Sequence, residues 1–122
     1  MMSLVRSLVA SLCLALTWVA SHADEVISRG SNLSVDVAAD GRLVMDLTGD
    51  LWSVPQRGGE ASLLSGEPGS ASRPRWSPDA LRIAYAQFNQ HEQGIRIFDT
   101  GSGRTVNISQ GGHFDLHPTW HP

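Results

Sequence analysis

Helical periodicity, lysine and a usable cysteine are what this chain lacks. Its 122 residues include one cysteine, Cys13, and no lysine. Cys13 falls in the apolar amino-terminal run, so the rest of the chain has neither a disulfide framework nor a thiol nucleophile. Stability there has to come from side-chain packing. No segment keeps a 3.6-residue apolar period for three turns, which excludes helical bundles and coiled coils. Positive charge is also scarce. Beyond residue 23, eight arginines stand against twelve acidic residues, a balance that argues against nonspecific nucleic-acid binding. Arg57, Arg73, Arg75 and Arg82 are the one grouping that can make a local basic patch, and scattered arginines on an acidic domain read first as solvated surface.

The amino terminus reads as a targeting segment. Arg6 supplies a positive start, Leu8 to Ala20 an apolar run, and Ser21-His22-Ala23 the small residues that signal peptidase reads, with cleavage before Asp24. The run is short of the roughly 20 apolar residues of a membrane-spanning helix. Leu12 precedes Cys13 where a lipoprotein signal has a small residue, so lipidation is not expected. The expected organisation is a signal peptide over 1–23 and a periplasmic or secreted domain over 24–122, with no integral membrane segment after cleavage.

Short apolar or alternating runs separated by Gly, Asp, Pro and Ser fill the remainder, an all-β pattern. Strands are expected at Leu33 to Val37, Arg42 to Leu47, Leu51 to Val54, Ala61 to Leu64, Arg73 to Trp76, Arg82 to Phe88, Ile95 to Asp99 and Thr105 to Ile108. Asp40-Gly41, Thr48-Gly49-Asp50, Gly58-Gly59 and Thr100-Gly101-Ser102-Gly103 supply the glycines that reversals use. No helix pattern follows either glycine pair, so neither reads as a phosphate-cradling loop.

A motif recurs. Arg73-Pro74-Arg75-Trp76-Ser77-Pro78-Asp79 returns as His117-Pro118-Thr119-Trp120-His121-Pro122, with the prolines and tryptophans 44 positions apart. At the same offset Leu51 to Pro55 lies over Ile95 to Asp99, Gly59 over Gly103 and Leu64-Ser65 over Ile108-Ser109. Leu43 to Asp46 matches Ile83 to Ala86 at an offset of 40, which places four extra residues within Gln87 to Gly94. The period is that of a four-stranded propeller blade, roughly 40 to 45 residues. The expected fold is therefore an incomplete β-propeller of about two blades, short of the 4 to 8 of a closed ring. Further chain or association of copies is expected to supply the rest, and a stop at Pro122 partway through the motif favours further chain.

Gly49-Asp50-Leu51-Trp52-Ser53-Val54-Pro55, Arg57-Gly58-Gly59-Glu60-Ala61, the Arg73 to Asp79 motif and Arg82-Ile83-Ala84-Tyr85 together resemble the TolB-like β-propeller repeat, a relative of WD40-like blades. Ala80 departs from the family's usual glycine, and His121 stands where the first copy has Ser77. The resemblance implies a periplasmic module that contacts proteins or peptides. The same residues are also similar to the propellers of exported amidohydrolases and of tricorn-type or prolyl-oligopeptidase-like peptidases, where a separate domain holds the metal or the serine.

Within these residues no catalytic, cofactor-binding or metal site is expected. His113, Asp115, His117 and His121 form the densest polar cluster, but Gly111-Gly112 and Pro118 break any helix that would put the histidines on one face, and the repeat places Pro118 to His121 on a strand. No Gly-x-Ser-x-Gly elbow and no paired acid-base carboxylates are present. Asp79 reads as a turn residue, Trp76 and Trp120 as anchors between blades, and Trp52 as either core or exposed contact. The expected function is an exported, noncatalytic propeller segment that binds a protein or peptide, with the propeller portion of an exported hydrolase as the alternative.

Overall fold

The computed structural model describes residues 33–65, 69–109 and 115–122. The expected signal peptide and its cleavage site, as well as His113, lie outside the described residues. Eight strands run in chain order: β1 Val35–Val37, β2 Leu43–Leu47, β3 Asp50–Val54, β4 Ser62–Leu63, β5 Ser70–Trp76, β6 Arg82–Phe88, β7 Gln93–Asp99 and β8 Thr105–Asn107. They form two four-stranded antiparallel sheets, β1-β2-β3-β4 and β5-β6-β7-β8, each a simple up-and-down meander. This is the all-β, two-bladed, incomplete propeller that the repeat implies. No helix occurs among the described residues.

The hairpins explain the two offsets. In the first sheet Leu47 pairs with Asp50 across Thr48-Gly49, and both turn residues have positive φ, 54° and 90°, as a type I′ reversal requires. In the second sheet the matching pair, Gln87 and Gly94, encloses Phe88 to Gln93. Phe88 and Gln93 add one more rung, and the side chain of Asn89 caps the tip by accepting the amides of His91 and Glu92. The four extra residues thus lengthen one hairpin without shifting the blade.

The turn between the first two strands of each sheet opens in the same way in both copies, the second being one residue longer. Ser77 N–H donates to Arg82 O at 2.8 Å and Ala80 N–H to Ser77 O at 2.9 Å. Ala38 N–H donates to Arg42 O and Gly41 N–H to Ala38 O, both at 2.8 Å. Val37-Ala38-Ala39-Asp40-Gly41 is therefore an earlier copy of Trp76-Ser77-Pro78-Asp79-Ala80. Sequence comparison misses it because only the aspartate is kept. Gly41 has φ 86° and Ala80 φ 58°, so the alanine that departs from the family pattern holds the left-handed conformation that glycine adopts more cheaply.

The core lies between the sheets. Val44 and Leu51 of the first sheet pack with Ala71, Trp76, Ile83, Tyr85 and Phe98 of the second. A β-bulge between Ser72 and Arg75 interrupts β5, and within it Arg73 takes φ 54° ahead of buried Pro74. The amide that the bulge frees is not wasted. Asp46, 5% exposed, accepts Arg73 N–H at 2.8 Å and Ser34 N–H at 2.7 Å, tying β2 to both neighbouring segments. Asp36 does the same for Trp76 N–H at 2.7 Å. One expectation is corrected: residues 115–122 carry no strand assignment, because the ladder partner that a strand needs is not present among the described residues.

Replacing Asp46 by alanine leaves two amides without their acceptor in a buried setting and is expected to cost about 3 kcal/mol, read as a lower urea midpoint at unchanged slope. Thr48→Asn, which puts an αL-tolerant residue at an exposed type I′ position, is expected to gain about 0.5 to 1 kcal/mol in the same assay.

Candidate binding groove and open sheet face

The innermost strands of successive repeats converge at one end of the molecule. Val37 and Ala39 from the first repeat, Arg75, Trp76, Ser77 and Pro78 from the second, and Thr119 and Trp120 from the third line a groove of about 320 Å³. Its floor is made by the repeated motif itself. Arg42 lies over the Trp76 ring at 4.6 Å, and Arg82 lies over the Trp120 ring at 5.1 Å. Each tryptophan is thus clamped by an arginine at the start of the second strand's segment in the preceding blade, Arg42 just before β2 and Arg82 at the head of β6. Trp120 is fixed further by its Nε1–H, which donates to Arg75 O at 2.9 Å. Arg73 Nη1 donates to Leu116 O at 3.3 Å, so residues 115–122 are held against the second sheet without a strand ladder.

Arg75 is the one charged residue in the groove lining, with its guanidinium 3.6 Å from the Asp36 carboxylate. Ser77 is the one serine there, but it is 2% exposed, and its hydroxyl donates to Asp79 and accepts Arg82 N–H. No histidine or cysteine is in the lining to activate it. The groove offers aromatic surface, a proline and one cation. It is equipped to bind, and holds no nucleophile with a base.

Carboxylates at the turns are structural. Asp79 is held below the usual carboxylate value, first by the Ser77 hydroxyl, then by the Leu81 amide and the Arg82 guanidinium. The Arg42 amide lowers Asp40, aided by its guanidinium. Asp99 is lowered first by the Ser102 amide, then by the Ser102 hydroxyl and the Gly101 amide. These are Asx turns, the role read for Asp79 from its setting.

The other sequence candidates scatter. His117 is exposed, His121 Nδ1 lies 2.9 Å from Pro122 O, and Asp115 is within 3.5 Å of the Ser109 hydroxyl. Among the described residues no three His, Cys, Asp or Glu side chains come together to hold a metal. Arg73, Arg75 and Arg82 bond separately, to Leu116 O, to Asp36 and to Asp79. Trp52 pairs with Met45 and Leu63 on the face of the first sheet turned away from the second, where Val35, Val37 and Leu63 are at least half exposed. Exposed blade faces are what an unclosed array implies, but sequence reasoning did not say which face is open, and it missed the groove; the alternation Leu43, Met45, Leu47 on β2 marks the open face.

Two stacked four-stranded meanders with an uncovered sheet on one side define the class: a segment of a β-propeller. Among solved structures, the crystal structure of the tricorn protease is similar to this chain, with a TM-score of 0.58 and 19% sequence identity over 66% of this chain. The matched region is 8% of that protein's chain. At that identity the likeness shows the fold alone. No known family profile matches the chain, and no curated protein matches it.

Because Asp40, Asp79 and Asp99 are all held below 3.8, their contribution to stability is fully present above that pH and is lost as pH falls through their folded-state values. The urea midpoint is therefore expected to fall on acidification below 3.8, and to fall less steeply in Asp79→Asn, which cannot titrate.

Proposed function

We propose that residues 24–122 belong to an exported TolB-like β-propeller that is delivered to the periplasm or secreted after cleavage behind Ala23 and binds a protein or peptide in the groove at the Trp76 and Trp120 end. The groove carries this reading. It is built from three successive repeats, presents aromatic and proline surface with one cation, and lacks a catalytic set. The overall negative balance and the commitment of the arginines to internal partners speak against nucleic acid as the ligand. No cofactor is required for such a role.

One observation favours a second reading, in which the propeller belongs to an exported hydrolase and presents substrate to a separate catalytic domain. The similar solved structure is a protease, and the likeness occupies a small part of its chain. A metal-dependent amidohydrolase is the other form of that reading.

A photo-crosslinking amino acid at Ala39 or Thr119, in the full chain expressed in an exporting bacterium, is expected to give one defined envelope-protein or peptide adduct. The same probe at Val106, remote from the groove lining, serves as control. Edman sequencing of the recovered protein is expected to start at Asp24. Absence of an adduct at both groove positions, or equal labelling at Val106, defeats the binding reading. Protein purified from its native cell that hydrolyses peptides, when the 122-residue chain does not, establishes the hydrolase reading instead.

A further inference from the structure

One peptide unit in the wall of the groove is held from its two sides by different repeats. The Trp76 N–H donates to Asp36 Oδ2 at 2.7 Å, and the carbonyl of the same peptide, Arg75 O, accepts the Trp120 Nε1–H at 2.9 Å. No cis peptide occurs among the described residues, and the N–H and C=O of a trans peptide point in opposite directions. A line of two hydrogen bonds therefore runs from a carboxylate of the first repeat, through the backbone of the second, to an indole of the third. The Asp36 bond has the short length of a charge-assisted one. A carboxylate that takes up the N–H polarises the peptide, so its oxygen becomes the better acceptor for Trp120. Asp36 also lies 3.6 Å from the Arg75 guanidinium, a second hold on the same residue.

The bond to Trp120 is not a demand of the repeated motif. Trp76, at the matching position, has its Nε1–H buried without a hydrogen-bond partner. Trp120 also packs on Ala84, Ala86 and Ile95 and lies under the Arg82 guanidinium. Apolar contact is non-directional and a cation stacked on a ring tolerates sliding, whereas a hydrogen bond to Nε1 fixes the indole within its own plane. Residues 115–122 have no ladder partner among the described residues, so a single side-chain bond has more effect on them than on a paired strand. We propose that Asp36 is a positioning residue for the groove, setting the orientation of Trp120 through the Arg75–Trp76 peptide while standing outside the lining itself. The first repeat thereby shapes a wall supplied by the third. The proposal rests on the reading of the groove as a binding site.

The test labels the full chain with 5-fluorotryptophan, which gives one fluorine resonance per tryptophan, each assigned by replacing that tryptophan with phenylalanine. Asp36→Ala is expected to move the Trp76 and Trp120 lines and to leave that of Trp52, on the opposite face of the first sheet, in place. Asp36→Asn keeps an oxygen for the Trp76 amide and is expected to put both lines between the parent and alanine positions. Trp120→Phe keeps the apolar packing and removes the donor. Combined with Asp36→Ala, it is expected to be non-additive by about fivefold in the unfolding equilibrium constant. A Trp120 line at the parent position in folded Asp36→Ala, or an additive cycle, overturns the proposal and leaves Asp36 as a contact between sheets. If Asp36→Ala lacks β circular dichroism, Asp36→Asn decides: a displaced Trp120 line supports the proposal and an unmoved one overturns it. Photo-crosslinking at Thr119 reads the groove separately. A defined adduct in the parent with an unmoved Trp120 line refutes the positioning alone, and a moved line with no adduct in the parent refutes the binding reading alone.

Discussion

The carboxylate of Asp46 sits where the two sheets meet and accepts the amides of Ser34 and Arg73. Much of the blade geometry depends on that placement. A β-bulge with positive φ at Arg73 leaves an amide that no ladder satisfies, and an unsatisfied buried amide costs on the order of 1 to 3 kcal/mol. Asp46 removes the cost and, in doing so, fixes the height of β5 against the first sheet. Three residues beyond Arg73, the Trp76 amide is taken by Asp36, and the indole enters the core beside Val44 and Leu51. The anchor is polar, and its effect is to register an apolar interface.

That interface then repeats in outline, although its chemistry changes. Arg42 over Trp76 becomes Arg82 over Trp120, and the Asx turn of Asp40 becomes that of Asp79. Asp46, by contrast, corresponds to Ala86, which is fully buried among Ala84, Ile95 and Trp120. A carboxylate at one junction and a methyl at the next stand at the same position of the repeat. The repeat is thus conserved as a shape and an arginine-tryptophan stack, while its polar bonds are solved locally at each blade.

The period and all eight strands were legible in the sequence, since the Trp-Ser-Pro-Asp motif and the glycine turns mark the blade at fixed spacing. The ends were less so. Expected strand Arg73 to Trp76 begins at Ser70, because the bulge hides Ser70 to Ser72 behind a proline that alone argues against a strand interior. The earliest copy of the turn, Val37 to Gly41, was hidden for a different reason: its backbone bonds form between Ala38, Gly41 and Arg42 without the serine and proline of the other copy, so that only the aspartate is shared. The groove was not legible at all. Its walls come from three repeats, and no local pattern encodes their convergence. The histidine cluster was legible only as composition, and its described members face separate surroundings.

The groove has walls of unequal rigidity. Val37 and Trp76 stand on strands paired within complete sheets, whereas Thr119 and Trp120 stand on a segment held by one arginine stack and isolated hydrogen bonds. In a repeat array each unit is stabilised by its neighbours, so a segment with no ladder partner among the described residues opens more readily than a paired strand. Anything that supplies the missing ladder beside residues 115–122 lowers the free energy of the conformation in which Trp120 completes the groove. By linkage, a ligand that prefers the completed groove stabilises that ladder to the same extent. Blade completion and ligand binding are then two readings of one equilibrium, and the tryptophan shared between them is where it is set.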